Sequence, residues 1–397
     1  MNELQVPQKR KFPIGLAILT AIVVLGLIPI VIRYLYGLGA ISNLSDGRPW
    51  GLWISFDLYC GVALAAGGFT LAGAVYVFRL EKFHSVARPA VLTAFLGYTL
   101  VILALLVDLG QPWFIWHIFV TPNIHSPLFE VGICVVSYTV VLALEFSPAV
   151  FERLNNANIP IVNRIKWGIP LGIVRAIQIP LVILGVCLST LHQSSLGSML
   201  LMSPTNLHPL WYTPILPILF LNSAIAVGPA MVMFESTLTG KALGHKVSHE
   251  VMEGLGKVIP IILSIYLVLK IVGMCLNHSL GMVFTAYPYN LYWWAEIIIG
   301  IIIPIVLFTN KNFRKSDGRL FLGAAIVVLG LILNRFNVSM FALAMRPGYT
   351  YFPSWMEFAI SAGLVADSML VIWLAYRLLP MTQNAPAHAV APGSMAR

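Results

Sequence analysis

The stretch IGLAILTAIVVLGLIPIVI, residues 14–32, runs for nineteen residues without a charged side chain. A helix needs about 20 mostly apolar residues to cross the hydrocarbon core of a bilayer. Similar stretches recur along the chain, and together they predict ten spans. These lie at approximately residues 13–37, 50–79, 88–109, 127–153, 165–190, 211–238, 256–277, 289–310, 319–340 and 354–379. Because backbone polar groups in lipid must be satisfied internally, and no alternating ten-residue pattern indicates a barrel, we predict an all-α polytopic membrane protein.

The composition agrees with this class. The chain is 59% hydrophobic and only 10% charged, with a mean hydropathy of +0.87, whereas soluble domains carry about 25% charged residues. Basic residues 9–11 precede the first span, as they would in a signal peptide. The apolar run is longer than a signal core of about 7–15 residues, and no small-x-small cleavage site is evident. We therefore expect the first helix to be retained.

The distribution of basic residues predicts the orientation. The net charge is +9, but Lys and Arg concentrate at the N-terminus and on alternate connections. These basic residues are Arg79, Lys82 and Arg88; Arg153, Arg164 and Lys166; Lys241, Lys246 and Lys257; and Lys311, Arg314, Lys315 and Arg319. The intervening connections at 110–126, 191–210 and 278–288 contain none, although Arg48 and Arg346 depart from the pattern. The positive-inside rule then places both termini in the cytoplasm, and the charge does not indicate a nucleic-acid partner.

The sequence predicts one membrane domain with short ends. Residues 1–12 form a basic cytoplasmic arm, residues 13–380 the ten-helix domain, and residues 381–397 a Pro/Ala-rich disordered tail. Within the domain we expect two four-helix bundles, at about 50–190 and 211–340, with flanking helices. Each bundle opens with a Pro and a Trp, and helices four and eight carry Glu130 and Glu296 at similar positions. This pattern fits an internal repeat or two separate interface anchors.

The histidines and cysteines argue against a metal cofactor. The nine histidines are His84, His117, His125, His192, His208, His245, His249, His278 and His388. All of them fall in predicted loops, tails or helix ends, so none is placed as an axial haem ligand inside the bilayer. The four cysteines stand alone in separate spans and lack metal-ligand spacing. We predict no haem, no iron–sulfur cluster and no metal site in this chain.

Ionisable residues inside the spans are the candidate functional groups, because burying a charge in lipid is costly unless it faces a cavity or a partner. Four residues from four helices fall at a similar depth near the outer face. They are Asp57 in helix two, Asp108 at the end of helix three, Glu130 in the first turn of helix four and His192 at the end of helix five. Deeper, or towards the cytoplasm, lie Glu145, Arg175 and Glu235. The second half contributes Lys270, Glu296, Arg335, Glu357 and Asp367.

Structural interpretations compete with functional ones for most of these residues. Asp108 also fits an interfacial helix end, and His192 fits the start of a hydrated loop. Glu145 and Arg175 also fit a structural ion pair, and Glu235 is close enough to the boundary for its carboxylate to reach water. The combination of Asp57, Glu130 and His192 is the hardest to explain by structure alone.

Four segments carry a family resemblance. They are RPWGLWISFDLYCGVALAAGGFTLA, SPLFEVGICVVSYTVVLALEFSPAVFERL, LHQSSLGSMLLMSPTNLHPLWYTPILPILF and YFPSWMEFAISAG. The chain resembles the NrfD/polysulfide-reductase membrane-subunit family over essentially its whole length. Within that family it is most similar to the HybB-like subunits of periplasm-facing nickel–iron hydrogenases of the hydrogenase-2 type. Membrane subunits of quinone reductase complexes in sulfate reducers look similar too.

The resemblance implies a haem-free, quinone-reactive subunit in the bacterial inner membrane. A periplasmic iron–sulfur protein of the four-cluster ferredoxin-like type would dock on the outer face, beside the hydrogenase large and small subunits. It would exchange electrons with a quinone, expected to be menaquinone, bound in the first bundle. The loops at 110–126 and 191–210 are the predicted docking surface.

Quinone reduction takes two electrons and two protons, so the headgroup needs polar partners. His192, Asp57 and Glu130 are the predicted proton-exchanging residues, since histidine titrates near neutrality and burial raises the pKa of a carboxyl group. Gln193, Ser194, Ser195 and Asp108 are predicted to surround the headgroup. Glu145, Arg175 and Glu235 are the predicted proton path. The small-residue run at 61–68 leaves space for close helix packing or for a ligand.

Two other classes of function remain open at this stage. A secondary transporter or channel would use the buried acids as coupling sites, and Pro214, Pro217 and Pro229 fit its broken helices. A passive anchor for a periplasmic enzyme is the third possibility. Within the quinone-reactive interpretation, the complex that this subunit serves could also be a periplasmic oxidoreductase other than a hydrogenase.

Overall fold

Ten helices long and apolar enough to span a membrane run through the described part of the chain. The computed structural model describes residues 14–157, 165–202, 207–244, 247–343 and 351–381. The helices are α1 (Ile14–Tyr36), α2 (Trp53–Val77), α3 (Glu81–Asp108), α4 (Pro127–Asn155), α5 (Gln178–Leu201), α6 (Leu216–Leu243), α7 (His249–Leu276), α8 (Tyr289–Thr309), α9 (Asp317–Phe341) and α10 (Trp355–Leu378). These ranges contain no β-strand, only two isolated bridges. The prediction of an all-α polytopic membrane protein is confirmed, while residues 1–12 and most of the tail lie outside the described ranges.

The helices form two groups of four. Helices α2 to α5 pack around one another, and α6 to α9 do the same. The two bundles meet where α2 and α5 contact α6 and where α2 contacts α9. Helices α1 and α10 pair with each other outside both bundles, and α10 also packs on α3. Gly26 and Gly363 bring α1 and α10 together, because a Cβ at Gly26 would lie 2.9 Å from the Gly363 Cα.

The connections alternate between two ends of the molecule. We name the end that carries residues 109–126 and 277–288 the charge-poor face, and the end that carries residues 78–80 and 310–316 the basic face. On the charge-poor face the Asn277 side chain donates to the Tyr212 carbonyl at 3.0 Å. On the basic face Arg88 pairs with Glu152 at 2.6 Å. Contacts at both ends therefore hold neighbouring helices in register.

The fifth span departs from the prediction. Residues 165–190 were expected to cross the membrane, but Gly168–Ala176 is a separate short helix and α5 begins at Gln178. Helix α5 then continues through STLHQSSLGS, residues 189–198, to Leu201. These polar residues lower the average hydropathy of the segment and so argue against a span, yet several of their side chains are buried inside the protein. The predicted positions of His192 at a helix end and of 191–201 in a loop are therefore wrong.

Three helices contain π-helical stretches, which are rare and often lie at functional sites. In the described residues they are Trp53–Cys60 and Gly73–Val77 in α2, Ile298–Ile302 in α8 and Asn337–Phe341 in α9. The first contains Asp57. The third begins two residues after Glu296, and the fourth begins at a buried asparagine. Local widening of the helix thus coincides with buried polar groups in both bundles.

Candidate functional site

A cleft of about 340 Å³ lies between α1, α2, α3, α6 and α10. Its walls are almost entirely apolar, and glycine and alanine at 61, 65 and 97 leave room within it. On its rim, Leu238 and Met369 are 40% and 46% exposed, so the cleft opens sideways towards lipid. It carries an acid near each end, Asp57 towards the charge-poor face and Glu235 towards the basic face. This shape suits an elongated apolar ligand with a polar headgroup.

Asp57 is the best-placed polar group of the cleft. The side chain is 1% exposed, and the Ser361 hydroxyl donates to its Oδ2 at 2.6 Å. Its other oxygen, Oδ1, is buried and has no hydrogen-bond partner. An unsatisfied buried acceptor is unfavourable by about 1–3 kcal/mol, and a ligand hydroxyl or a protonated carboxyl group would relieve this penalty. Asp57 is therefore held by α10 and lines the cleft with one carboxyl oxygen left unpartnered.

Two further acids lie close to Asp57. The charge of Asp108 interacts with those of Asp57, Glu357 and Arg33. Arg33 is buried, and its side chain donates to the Val107 carbonyl at 2.7 Å. It also donates to the carbonyl of Leu109, the residue after Asp108. Sequence reasoning missed Arg33 and Ser361, since neither belongs to a recognisable motif.

Glu357 lies in the first turn of α10, towards the charge-poor face, and not in the second bundle. It is fully buried and accepts hydrogen bonds from Asn43 N at 3.0 Å, Ser354 N at 3.0 Å and the Tyr351 hydroxyl at 2.5 Å. Burial and the neighbouring carboxylate raise the pKa of Tyr351, so its hydroxyl remains a donor. Ser354 and Glu357 form a capping box at the start of α10. The Ser-x-x-Glu spacing is the sequence signal that could have revealed it.

His192 faces the interior of the first bundle. It is fully buried nine residues before the end of α5, and its Nδ1 shares a hydrogen bond with the Tyr98 hydroxyl at 2.9 Å. Its Nε2 is buried without a partner. The adjacent Gln193 donates to the Val62 carbonyl at 3.0 Å. No hydrogen bond or ring contact in the described residues joins His192 to Asp57, so the expected convergence of these two residues is not found.

Ser194, Ser195 and Glu130 do not reach the cleft either. The two serine hydroxyls donate to carbonyls within α5, at 2.8 Å and 2.7 Å to Leu191. They therefore do not form the predicted polar collar around a headgroup. Glu130 is partly exposed in the first turn of α4. Among the described residues, no hydrogen bond or ion pair joins its carboxylate to Asp57 or His192.

The predicted proton-path residues occupy two separate places. Arg175 is 56% exposed and pairs with Glu152 at 2.7 Å, so its interpretation as the ion-pair partner of Glu145 is wrong. Glu145 lies deeper in α4, seven residues before Glu152. Glu235 borders the cleft, where the Thr93 hydroxyl donates to its Oε2 at 2.5 Å. Glu145 and Glu235 thus belong to different compartments of the first half.

The second bundle has a polar cluster whose members satisfy one another. Glu296 pairs with Lys270 and accepts from Trp211, Asn334 and Asn337, each at 2.9 Å. Arg335 donates to Ser223 and to Asn334 and lies over the Phe220 ring at 3.9 Å. The adjoining cavities are only about 20 and 30 Å³, which is room for a water molecule or two. This cluster is therefore a weaker candidate for a ligand site than the cleft.

No candidate metal centre appears in the described ranges. No group of three or more His, Cys, Asp or Glu side chains there could hold a metal ion. His192 is the one histidine of the described spans that lies away from a helix end. The prediction that placed all nine histidines outside the spans is corrected on this point, and residues 245 and 388 lie outside the described ranges.

The charge-poor face exposes an aromatic connection. Its short helical turns at 112–120 contain Trp113, Trp116 and Phe119, with 61%, 51% and 57% of their surfaces exposed. The second predicted docking segment, 191–210, is shorter than expected because α5 extends to Leu201. Residues 203–206 lie outside the described ranges.

The ten spanning helices of the described ranges define an integral multi-pass membrane protein. A family model described as "Polysulphide reductase, NrfD" matches residues 40–345. The chain belongs to this NrfD family.

Two relatives cover nearly the whole chain. One, from Escherichia coli, is described as "Probable Ni/Fe-hydrogenase 2 b-type cytochrome subunit"; it is 34% identical over 91% of this chain and 90% of its own length. The other, from Nitratidesulfovibrio vulgaris, is described as "Menaquinone reductase, integral membrane subunit"; it is 30% identical over 87% of this chain and 86% of its own length. A selenate reductase subunit from Mesobacillus selenatarsenatis is 26% identical over 92% of this chain and 93% of its own length. This protein is accordingly a membrane subunit of the kind found in oxidoreductase complexes.

Proposed function

We propose that this chain is the quinone-reactive membrane subunit of a respiratory redox complex, with the quinone headgroup bound beside Asp57. The observation that carries the proposal is the lipid-open apolar cleft, which ends at a buried carboxyl group with one unpartnered oxygen. The isoprenoid tail would lie along the apolar walls, and the headgroup would occupy the charge-poor end. Helix α6 is continuous past Pro217 and Pro229, which does not favour the broken-helix architecture of a transporter.

Asp57 would exchange protons with the quinone oxygen. Reduction adds two electrons and two protons to the quinone, and oxidation of the quinol reverses this balance. The electrons come from, or return to, the partner protein, while the protons pass through groups of this chain. Ser361 holds one oxygen of Asp57 in place, so the other can meet the headgroup within hydrogen-bond reach, as a general acid or base requires. Asp108 and Arg33 would set the local charge around this exchange.

The partner we propose is a periplasmic iron–sulfur subunit of the four-cluster ferredoxin-like type, serving a nickel–iron hydrogenase, with menaquinone as the quinone. The names of the Escherichia coli and Nitratidesulfovibrio vulgaris relatives support this assignment. The exposed aromatic connection at 112–120 is the proposed docking surface. In this arrangement the charge-poor face is periplasmic, and both termini lie in the cytoplasm of a bacterium with this subunit in its inner membrane.

Photolabelling tests the site directly. A photoreactive menaquinone analogue is bound to the purified full chain in lipid and activated, and the labelled peptides are identified by mass spectrometry. We expect labels in residues 56–65 and 365–373, which line the cleft from α2 and α10, and we expect excess menaquinone to remove them. Competed labelling confined to the second bundle, around Glu296, would reject this location. Helix α4 residues 127–137, which do not line the cleft, provide a background control.

A further inference from the structure

The cleft has a second polar group, at the end away from Asp57. The Glu235 side chain lines the cleft from α6 and is 7% exposed. The Thr93 hydroxyl of α3 donates to its Oε2 at 2.5 Å, while Oε1 is buried and has no hydrogen-bond partner among the described residues. Glu235 therefore repeats the arrangement of Asp57, in which a hydroxyl group of a neighbouring helix holds one carboxyl oxygen and the other is unpartnered.

The hydroxyl groups next to Glu235 are already used in other hydrogen bonds. Thr239 donates to the backbone carbonyl of Glu235 at 2.9 Å, and the Tyr376 hydroxyl is hydrogen-bonded to Thr239. A buried polar atom without a partner is unfavourable. Oε1 can accept a hydrogen bond from a hydroxyl group and, when protonated, can donate one to a carbonyl oxygen. A quinone headgroup therefore fits this position in both its reduced and its oxidised form.

The two acids lie at different depths of the cleft. Gly61 packs against Val101 of α3, since a Cβ at Gly61 would lie 3.3 Å from Val101 Cγ2. Thr93, which holds Glu235, precedes Val101 by eight residues, or about 12 Å along the helix axis at 1.5 Å per residue. Asp57 lies a further turn away, towards the charge-poor face. A single headgroup therefore contacts one acid at a time.

The opening of the cleft towards lipid lies nearer Glu235 than Asp57. The lining residues with exposed side chains are Leu238, Ala242 and Met369. Leu238 and Ala242 follow Glu235 on α6 by about one and two turns, whereas the residues that line the cleft around Asp57 are buried or partly buried. An amphiphile that enters from the lipid therefore reaches Glu235 before Asp57.

We propose that Glu235 forms an entry subsite, where an oxygen of the quinone or quinol headgroup binds Oε1 before the ring moves to Asp57 and again before it returns to the lipid. The proposal rests on the proposed quinone function. No bond is broken and no electron is transferred at this position, because the headgroup is only held by a hydrogen bond and released. Glu235 thus acts as a binding residue, which differs from the proton path that the sequence predicted.

Photolabelling of the full chain in lipid tests the subsite. The probe is a short-tailed naphthoquinone with a photoreactive group on the ring, so that the labelled residues report where the ring lies. We expect two labelled segments, 56–61 beside Asp57 and 234–239 beside Glu235, and excess menaquinone should remove both. Glu235→Leu should weaken labelling of 234–239 about fivefold, the effect of one lost hydrogen bond. Glu235→Gln should keep both segments, because an amide still donates and accepts.

Quinone-linked turnover of the intact complex gives an independent measurement. Glu235→Leu should raise the KM for quinone about fivefold and leave kcat and dye reduction by the partner unchanged. Glu235→Gln should keep the KM and kcat of the wild type, whereas a proton-carrying residue would lose kcat on this change. Glu250→Leu, at an exposed position of α7 outside the cleft, is the matched control and should retain both constants.

The outcomes separate the two proposals. Competed labels at 56–61 with none at 234–239, or a normal KM in Glu235→Leu, would overturn the entry subsite and leave the Asp57 site standing. Loss of the 234–239 labels in phosphatidylglycerol bilayers but not in phosphatidylcholine would assign the position to a lipid headgroup and overturn it too. So would a fall in kcat of about 10²-fold in Glu235→Gln, the size of a general acid–base contribution. A wild-type complex that reduces dyes but never quinone would instead reject the quinone function itself.

Discussion

Replacing Asp57 by asparagine removes the proton-exchanging group of the proposed site and little else. Asparagine has the same shape, so its amide oxygen can still accept the 2.6 Å hydrogen bond from Ser361. A buried carboxylate that accepts only one hydrogen bond contributes little stability, so we expect the variant to fold and assemble. The loss should appear in quinone chemistry.

The expected size of the effect follows from the role. A positioned general acid or base contributes about 10²–10⁴-fold to a rate, which corresponds to about 2.7–5.4 kcal/mol of activation free energy. Ser361→Ala removes only the hydrogen bond that orients Asp57. At about 1 kcal/mol for such a bond, we expect about a fivefold reduction. Asp57→Asn should therefore be at least twentyfold more severe than Ser361→Ala.

The assay compares two activities of the purified complex. In the proposed complex, quinone-linked turnover would pass through this chain, whereas artificial-dye reduction by the partner would not. Asp46→Asn, on an exposed loop of the same face, is the matched control and should retain both activities. If Asp57→Asn kept quinone-linked turnover within twofold of the wild type, Asp57 would have no role in proton exchange and the headgroup would have to bind elsewhere.

Three further outcomes are expected. Lys270→Met leaves the buried Glu296 carboxylate without its cation and should lower the free energy of unfolding by about 3–5 kcal/mol. Thermal unfolding in detergent measures this loss, with the exposed Lys311→Met as the control that should unfold like the wild type, and an unperturbed Lys270→Met would contradict this reasoning. Gly330→Ala places a Cβ against the Gly300 Cα, closer than van der Waals contact allows, so the yield of folded protein should collapse. Gly172→Ala is the control: a Cβ at Gly172 would have no atom within 4 Å, and this variant should express normally. The purified subunit should show neither a haem Soret band nor iron–sulfur absorbance, and a stoichiometric b-haem spectrum would refute the prediction of a cofactor-free chain.

Hydropathy was enough to predict nine spans and their order, because an apolar run of about 20 residues has few other stable environments. It failed at α5, where Gly168–Ala176 is a separate helix and the mostly polar residues 189–195 lie inside the span. The average hydropathy over a window is the same whether a polar side chain contacts water or contacts another helix. His192 and Gln193 belong to the second kind, with partners on α3 and α2.

The candidate site was predictable only in part, for a related reason. Asp57 was identified because a lone acid in an apolar run is conspicuous. Its partner Ser361 is 304 positions away in the chain, and a serine on α10 carries no signal of its own. The side of a helix towards which Asp57 or His192 points depends on neighbour packing, so equal predicted depth gave no information on whether they meet.

Because of the π-helical stretch at Trp53–Cys60, the function of α2 depends on the exact number of residues in this helix. A π turn accommodates an additional residue, and each residue of an α-helix advances the side-chain direction by about 100°. Deleting one residue between Asp57 and Gly61 would allow α2 to close into a regular helix without losing apolar character. It would also swing Asp57 away from Ser361 and out of the cleft, while Gly61 and Ala65 kept their places. The first bundle should therefore tolerate many substitutions along α2, whereas deletion of a single residue there should abolish its activity.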